Sequence, residues 1–258
     1  MTVHARIVQL TDLHLTAAEG GRAWGSDVWR NLDAMLALVR TLEPFDLLVL
    51  SGDLANQRRA ATYARLRERL QPFAGRLRVL PGNHDSRRLL RAHFGDLLLA
   101  GAPAANFVHE LAGWRIVGLD SVRRPFVHGK FGARQLGWLR ALLQATPQPV
   151  LLFVHHPPIA IGTWWLDKDR PRDRDAFARA LAGGPVRAIA CGHVHQPHEG
   201  EFAGARVFTA PSTAYQFPPR ARLPGPGARE PAGRLFELDG SSLTTRIVAP
   251  APTRVTAP

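Results

Sequence analysis

Apolar residues along this chain fall into two rhythms. One is a set of short, nearly uninterrupted runs: "ARIVQLT" over 5–11, "FDLLVLSGD" over 45–53, "RLRVLPGNHD" over 76–85, "PVLLFVHHPP" over 149–158 and "VRAIACGHVH" over 186–195. Runs of that length without polar alternation are expected of strands covered on both faces. The other rhythm has the three-to-four spacing of an amphipathic helix. It marks "SDVWRNLDAMLALVRTLE" over 26–43, with Ser26 or Asp27 available as N-cap and Pro44 to end it. It also marks 56–73, 132–146 (ended by Pro147) and 173–184 (ended by glycines). "NFVHEL" and "WRIVGLD" predict a hairpin around Ala112-Gly113. "ARVFTAPS" and "AGRLFELDGSSLTTRIVAP" predict antiparallel strands, the second turning at Asp239-Gly240.

Strand and helix alternate early, and antiparallel strands follow late. That order predicts an α/β layered sandwich with mixed sheets. No repeat of fixed period is present. Two stretches are irregular, 158–173 and 217–232, and the second is dense in proline and glycine, as a surface loop would be. Neither reads as a linker, so a single domain is expected over 1–258, with a short tail at 250–258.

Composition narrows the class. A chain of 258 residues can bury a large core. Its longest apolar runs, such as "FDLLVL" and "VLLFV", fall far short of the roughly 18 residues of a membrane span. The N-terminus has neither the apolar stretch nor the small-residue cleavage site of a signal peptide. Cys191 is the only cysteine, so no intramolecular disulfide can form, which fits a cytoplasmic location. The formal charge of +12 is carried almost wholly by arginine, because Lys130 and Lys168 are the only lysines. Such a charge attracts anions, nucleic acid included. The arginines are nevertheless scattered rather than blocked, which favours a compositional bias over a nucleic-acid patch.

The polar exceptions to the apolar runs carry the chemistry. "TDLH" supplies Asp12 and His14, "SGDL" Asp53, "GNHD" Asn83, His84 and Asp85, "VHHPP" His155 and His156, and "CGHVH" His193 and His195. Each cluster directly follows a predicted strand, and ligands of α/β sheets bind outside the carboxyl ends of strands. Carboxylates, an amide oxygen and imidazoles, with no thiolate, suit Mn, Fe or Zn. Asp-x-His and His-x-His would set two donors on one side of an extended segment. Asp53 is placed to bridge two ions. Singly, each motif is common in turns and strand ends; together, in this order, they point to one site.

The order D-x-H, GD, GNH[DE], H and GH-x-H resembles the calcineurin-like metallophosphoesterases, and every element is present. "RIVQLTDLHL", "FDLLVLSGDLA", "LPGNHD", "HGKFGARQLGWL", "HHPP", "WLD", "CGHVHQ" and "APSTAYQF" resemble, more narrowly, the class III cyclic-nucleotide phosphodiesterases of bacteria that act on 3′,5′-cyclic AMP. The resemblance implies a four-layer αββα sandwich of two mixed β-sheets flanked by helices. It implies two divalent or mixed-valence transition-metal ions, Fe or Mn before Zn. Asp12, His14, Asp53 and His195 would hold one, and Asp53, Asn83, His155 and His193 the other. His155 is taken over His156 because the family's ligand is the first histidine after this strand. Substrate contacts would come from His14, Asn83, His84, His156 and His195. His84 would stand over the phosphate as a catalytic group. Asp85 would orient its imidazole, or cap a helix over "SRRLLRAHF", or do both. Trp164, Trp165, Tyr215 and Phe217 are candidates to stack on a base or to anchor loops.

Pro171 and Asp173 stand where related sequences carry leucine and asparagine, and Lys130 where they carry an acidic residue. The expected reaction is hydrolysis of 3′,5′-cyclic AMP to 5′-AMP by in-line attack of a metal-bridging hydroxide. Alternatives are another small phosphodiester (a glycerophosphodiester, a 2′,3′-cyclic nucleotide or a nucleotide-sugar lipid) and, ranked lower, nucleic acid. A non-enzymatic scaffold would be expected to have lost ligands. No membrane partner is expected, and a homodimer is left open.

Overall fold

The computed structural model describes residues 4–251. The tail expected at 250–258 therefore lies, from residue 252 onward, outside the described residues. The chain begins with β1 (His4–Leu10), a small ribbon of β2 (Arg22–Ala23) and β3 (Ser26–Asp27), and helix α1 (Val28–Thr41). Asp27 is the N-cap of α1, its carboxylate accepting from the backbone N–H of Arg30. Then come β4 (Leu47–Ser51), α2 (Ala60–Arg69), β5 (Leu77–Leu80) and α3 (Arg87–Phe94). The second half runs β6 (Phe107–Leu111), β7 (Trp114–Leu119), α4 (Ala133–Gln144), β8 (Val150–Val154), the short α5 (Trp164–Asp167), α6 (Arg174–Leu181) and β9 (Val186–Cys191). It closes with β10 (His198–Phe202), β11 (Ala205–Thr209), β12 (Gly233–Asp239) and β13 (Ser242–Val248).

The strands form two mixed sheets. One is ordered β13-β12-β1-β4-β5, with β1, β4 and β5 parallel. The other is β10-β11-β9-β8-β7-β6, with β7, β8, β9 and β11 parallel. The predicted hairpins are present, β6 with β7 and β12 with β13. Ala112 and Gly113 both adopt positive φ at the first turn.

Side-chain alternation explains the continuous apolar runs. In β4, Leu48 and Leu50 face a core shared with α1, α2 and α3, while Leu47 and Val49 face the second sheet. In β8, Leu152 and Val154 face α4 and α6, while Leu151 and Phe153 join the core between the sheets. Helices on both outer faces and two sheets between them give the layered mixed-sheet sandwich that the sequence pattern predicted, in the four-layer αββα form that the family resemblance implied. The inter-sheet layer is closed by aromatic pairs; Phe153 meets Phe236 edge-on at 5.9 Å between ring centres. A fully buried phenylalanine of this kind contributes about 1.5–3 kcal/mol from its apolar area.

Several polar links cross between the sheets, among them those of Gln9 and Trp114. The Gln9 amide on β1 donates to Ser51 Oγ at 2.8 Å and to the Cys191 carbonyl at 3.2 Å. The Trp114 indole N–H donates to the Gly240 carbonyl at 2.7 Å. The first link lies just below the carboxyl ends of β1, β4 and β9, where the polar clusters emerge. Among the described residues no helix is long and apolar enough to cross a membrane.

Candidate metal centre

All five predicted clusters meet at one end of the sandwich. Asp12 and His14 follow β1, Asp53 follows β4, Asn83 and His84 follow β5, His155 follows β8, and His193 and His195 follow β9. The D-x-H and H-x-H pairs are not extended, as the spacing suggested. Asp12, His14, Asp53, His193 and His195 have φ of 54°, 44°, 51°, 71° and 50°. A left-handed residue other than glycine costs about 1–2 kcal/mol. Hydrogen bonds between loops hold this geometry: Asp12 N–H donates to Gly52 O and His14 N–H to Asp53 O, both at 2.9 Å. Local strain offset by surrounding bonds is typical of functional sites.

Each carboxylate has one oxygen tied down and one left open. Asp12 Oδ2 accepts from Thr11 Oγ1 at 2.8 Å and from the His193 N–H at 2.9 Å. Asp12 Oδ1 has no hydrogen-bond partner and faces His195 Nε2 at 3.3 Å and His155 Nε2 at 3.9 Å. Asp53 Oδ1 accepts from the His84 N–H at 2.8 Å. Asp53 Oδ2 lies between His155 Nε2, at 3.5 Å, and His14 Nε2, at 3.8 Å.

The imidazoles are oriented from behind. His155 Nδ1–H donates to the Ser51 carbonyl at 2.9 Å and His195 Nδ1–H to the Tyr215 carbonyl at 2.7 Å. Both bonds leave Nε2 as the inward lone pair, the tautomer a metal requires. His14 and His195 bring their Nε2 atoms to 3.1 Å of each other. His193 Nδ1 lies 3.1 Å from Asn83 Oδ1, while its Nε2 is buried without a hydrogen-bond partner.

Electrostatics point the same way. Burial by itself would raise the Asp12 carboxyl, but the His195 and His155 imidazoles outweigh it and hold it well below the usual range. Asp53 is likewise held low against its burial, chiefly by His155 and His84. Burial opposes charge on His155, yet Asp53 and Asp12 raise it to about 9. Burial lowers His14 to about 3 despite Asp53. Two ionised carboxylates among buried imidazoles call for positive charge at the centre of the site; a proton on His155 is one source, and a hard-to-borderline cation in its place would satisfy the open oxygens and ring nitrogens together. The residues present therefore fit a metal centre.

A cleft of about 230 Å³ opens on this cluster, lined by His14, Asp53, Asn83, His84, His193 and His195 on its floor. Trp24, Val127, Trp165, Leu166, Asp169, Tyr215, Phe217 and Pro224 form its walls. Tyr215 stacks on His14 and Phe217 on His195, at 5.3 and 4.3 Å between ring centres.

Several expected roles are corrected by the geometry. Asp85 does not touch the His84 imidazole, whose Nδ1 faces the Asn56 carbonyl at 3.3 Å. The Asp85 carboxylate accepts from the N–H groups of Leu54, Ala55 and Gly82 and from Tyr63 Oη, so it is fully engaged in holding the loops. Nor does it cap α3; Ser86 does, accepting from Leu89 N–H. His156 does not face the cleft. It is fully buried, with Nδ1 on Ser121 Oγ and Nε2 on the Val127 carbonyl, both at 2.8 Å.

Trp164 points outward, donating to the Arg222 carbonyl under Lys168, whereas Trp165 lines the cleft. The departure at Asp173 is structural, since its carboxylate accepts from the Phe131 and Gly132 N–H groups ahead of α4. Among the wall residues, Trp24, Val127, Leu166, Asp169 and Pro224 were not singled out by the sequence. Asp169 lies in a stretch without periodicity, and Trp24 in the turn between β2 and β3, strands too short to leave a pattern.

The model of the calcineurin-like phosphoesterase family matches residues 5–197. The chain is 35% identical over 254 residues to the 3′,5′-cyclic adenosine monophosphate phosphodiesterase CpdA of Escherichia coli, covering 96% of this chain and 91% of that one. It is 35% identical over 217 residues to a cAMP/cGMP dual specificity phosphodiesterase of Mycobacterium tuberculosis, covering 81% and 67% respectively. Among solved structures, a purple acid phosphatase from yellow lupin seeds superposes with a TM-score of 0.69 at 14% identity, over 99% of this chain and 53% of that one, a likeness of fold.

Proposed function

The chain belongs to the calcineurin-like phosphoesterase family, and we propose that within it the protein is a two-metal phosphodiesterase that opens the ring of 3′,5′-cyclic AMP to give 5′-AMP. Similarity to cyclic-nucleotide phosphodiesterases over nearly the whole chain supports the reaction class. The observation that carries the metal reading is the pair of half-committed carboxylates. Asp12 Oδ1 and Asp53 Oδ2 lie 3.3–3.9 Å from imidazole nitrogens, the spacing of donors that share an ion.

Asp12, His14, Asp53 and His195 would hold one ion, and Asp53, Asn83, His155 and His193 the other, with Fe or Mn ahead of Zn on the family resemblance. When bound, such ions supply a water of lowered pKa and neutralise phosphoryl charge. The chain's own residues do the rest. His84, which lines the cleft with its Nδ1 against Asn56 O, would give a proton to the departing O3′. As the new P–O bond forms, the P–O3′ bond breaks and O3′ leaves with that proton. Trp165, Phe217 and Tyr215 offer the apolar wall against which a nucleobase packs.

The deciding experiment is a turnover comparison after Mn or Fe reconstitution. Its substrates are 3′,5′-cyclic AMP, a 2′,3′-cyclic nucleotide, an aryl phosphodiester and single-stranded DNA. The highest kcat/KM is expected for 3′,5′-cyclic AMP, with 5′-AMP as product and no turnover in chelator. A preference for another substrate would replace the assigned one; full activity in chelator would remove the metal mechanism.

A further inference from the structure

Two of the candidate ligand imidazoles share a pattern from which His193 departs, while His14 has a buried Nδ1 without a hydrogen-bond partner. His155 and His195 each turn Nε2 inward and give Nδ1–H to a backbone carbonyl. His193 is turned the other way round. Its Nδ1 faces Asn83 Oδ1, and its Nε2 points away from the amide, buried and without a hydrogen-bond partner. The ionisable oxygen facing that nitrogen is Asp169 Oδ2, at 3.8 Å. No side-chain hydrogen bond occupies the Asp169 carboxylate among the described residues, and it is three-quarters buried in the cleft wall.

The backbone around Asp169 is fixed. Its N–H donates to Leu166 O at 2.9 Å, its carbonyl accepts from Gly129 N–H at 3.0 Å, and Arg172 N–H returns to Gly129 O at 3.0 Å. The carboxylate is thus carried by an anchored turn instead of a free loop.

We propose that Asp169 is the positioning residue for His193. From 3.8 Å a small turn of the ring or of the carboxylate brings Oδ2 into position to accept the Nε2–H, which fixes the tautomer with a lone pair on Nδ1 and raises the basicity of that nitrogen toward the second ion. A ligating histidine nearly always gives its other N–H to an oxygen, and a carboxylate in that place strengthens the ligand. The inference rests on the metal reading given under the proposed function. It adds a residue outside the ligand set, and it sets His193 apart from His155 and His195, which lean on neutral carbonyls. The second ion is then the one whose affinity responds to this wall of the cleft.

The test compares wild-type protein with Asp169→Asn and Asp169→Glu, all full length. Metal-free samples are titrated with Mn²⁺, bound metal is counted, and each ion's retention is measured against a chelator. Wild type is expected to hold two ions. Asp169→Asn should keep the first and bind the second about 10–100-fold more weakly. Asp169→Glu, which restores a carboxylate, should recover most of that loss. Equal second-site affinity in Asp169→Asn and wild type would overturn the proposal. So would an equal loss in both variants, because the shape of the turn and not the charge would then be responsible. A wild type that binds fewer than two ions would instead bring down the metal reading itself.

Discussion

His84 contributes to the site twice, through separable groups. Its backbone N–H holds Asp53 Oδ1, and its imidazole stands on the cleft floor. His84→Ala removes the second and keeps the first. It should lower kcat about 10²–10⁴-fold, the usual worth of general acid catalysis, while elemental analysis finds the metal content unchanged. Loss of metal in that variant would mean that the imidazole is a ligand. Asp85 behaves in the opposite way: it touches no part of the cleft but binds four donors from three segments. Burial, and then Asp53, push its carboxyl up to about 6 even so. Asp85→Ala leaves buried N–H groups of Leu54, Ala55 and Gly82 unpaired. A buried unsatisfied group costs about 1–3 kcal/mol, so chemical denaturation should show a loss of at least about 3 kcal/mol. A loss below about 1 kcal/mol would show that the loops find other partners.

Among the elements, the turns after β4 and β5 are packed so closely that they admit no side chain. A Cβ on Gly82 would lie 2.2 Å from Asp53 Oδ1 and 2.4 Å from Asp53 N. One on Gly52 would meet His155 Nδ1 at 2.3 Å, at a φ of +110°. The neighbours of Gly82 include backbone, so they cannot swing away. Gly82→Ala should therefore displace Asp53 and cost about 1–3 kcal/mol of stability. It should also weaken both ions together, which a metal titration would detect; retention of both would show that the turn shifts as a unit. The same closeness explains what the sequence could and could not reveal. Apolar runs located β1, β4, β5, β8 and β9, because a strand covered on both faces has no polar alternation to hide it. β10, "HEGEF", escaped because its polar and half-exposed edge residues carry no such run. Ligand types were legible from strand ends, but roles that depend on orientation were not. His156 adjoins His155 in sequence and stays close to it and to His193, yet both its ring nitrogens are taken, by Ser121 and Val127. Asp85 adjoins His84 and is claimed by N–H groups about thirty residues earlier. Left-handed backbone at Asp12, His14, His193 and His195 is set by contacts between loops, which no local spacing encodes.

At the scale of the molecule, the candidate ligands come from both sheets. Asp12, His14, Asp53 and Asn83 ride on the five-stranded sheet, and His155, His193 and His195 on the six-stranded one. Metal bound between them would act as a cross-link over the inter-sheet core. Cys191 offers a way to read that effect. It ends β9 in the interior of its sheet, paired with Val154 on one side and Thr209 on the other. Its carbonyl accepts from Gln9 of the opposite sheet, and burial pushes its thiol well up from the ordinary range. Its thiol is packed on the other face of β9, in the core shared with α4 and α6. Thiol reagents attack the thiolate, so they should reach Cys191 only when the chain opens around β9. If that opening releases the ions, metal at 100 times its Kd should slow labelling about 100-fold, equivalent to about 2.7 kcal/mol of added stability. The rate of Cys191 labelling, followed by mass spectrometry with and without Mn²⁺, measures this directly. Because the chain has a single cysteine, no other thiol confuses the reading. Equal labelling rates in metal-free and metal-loaded protein would mean that β9 opens with the ions still in place. The ligand loops would then move independently of the sheets that carry them.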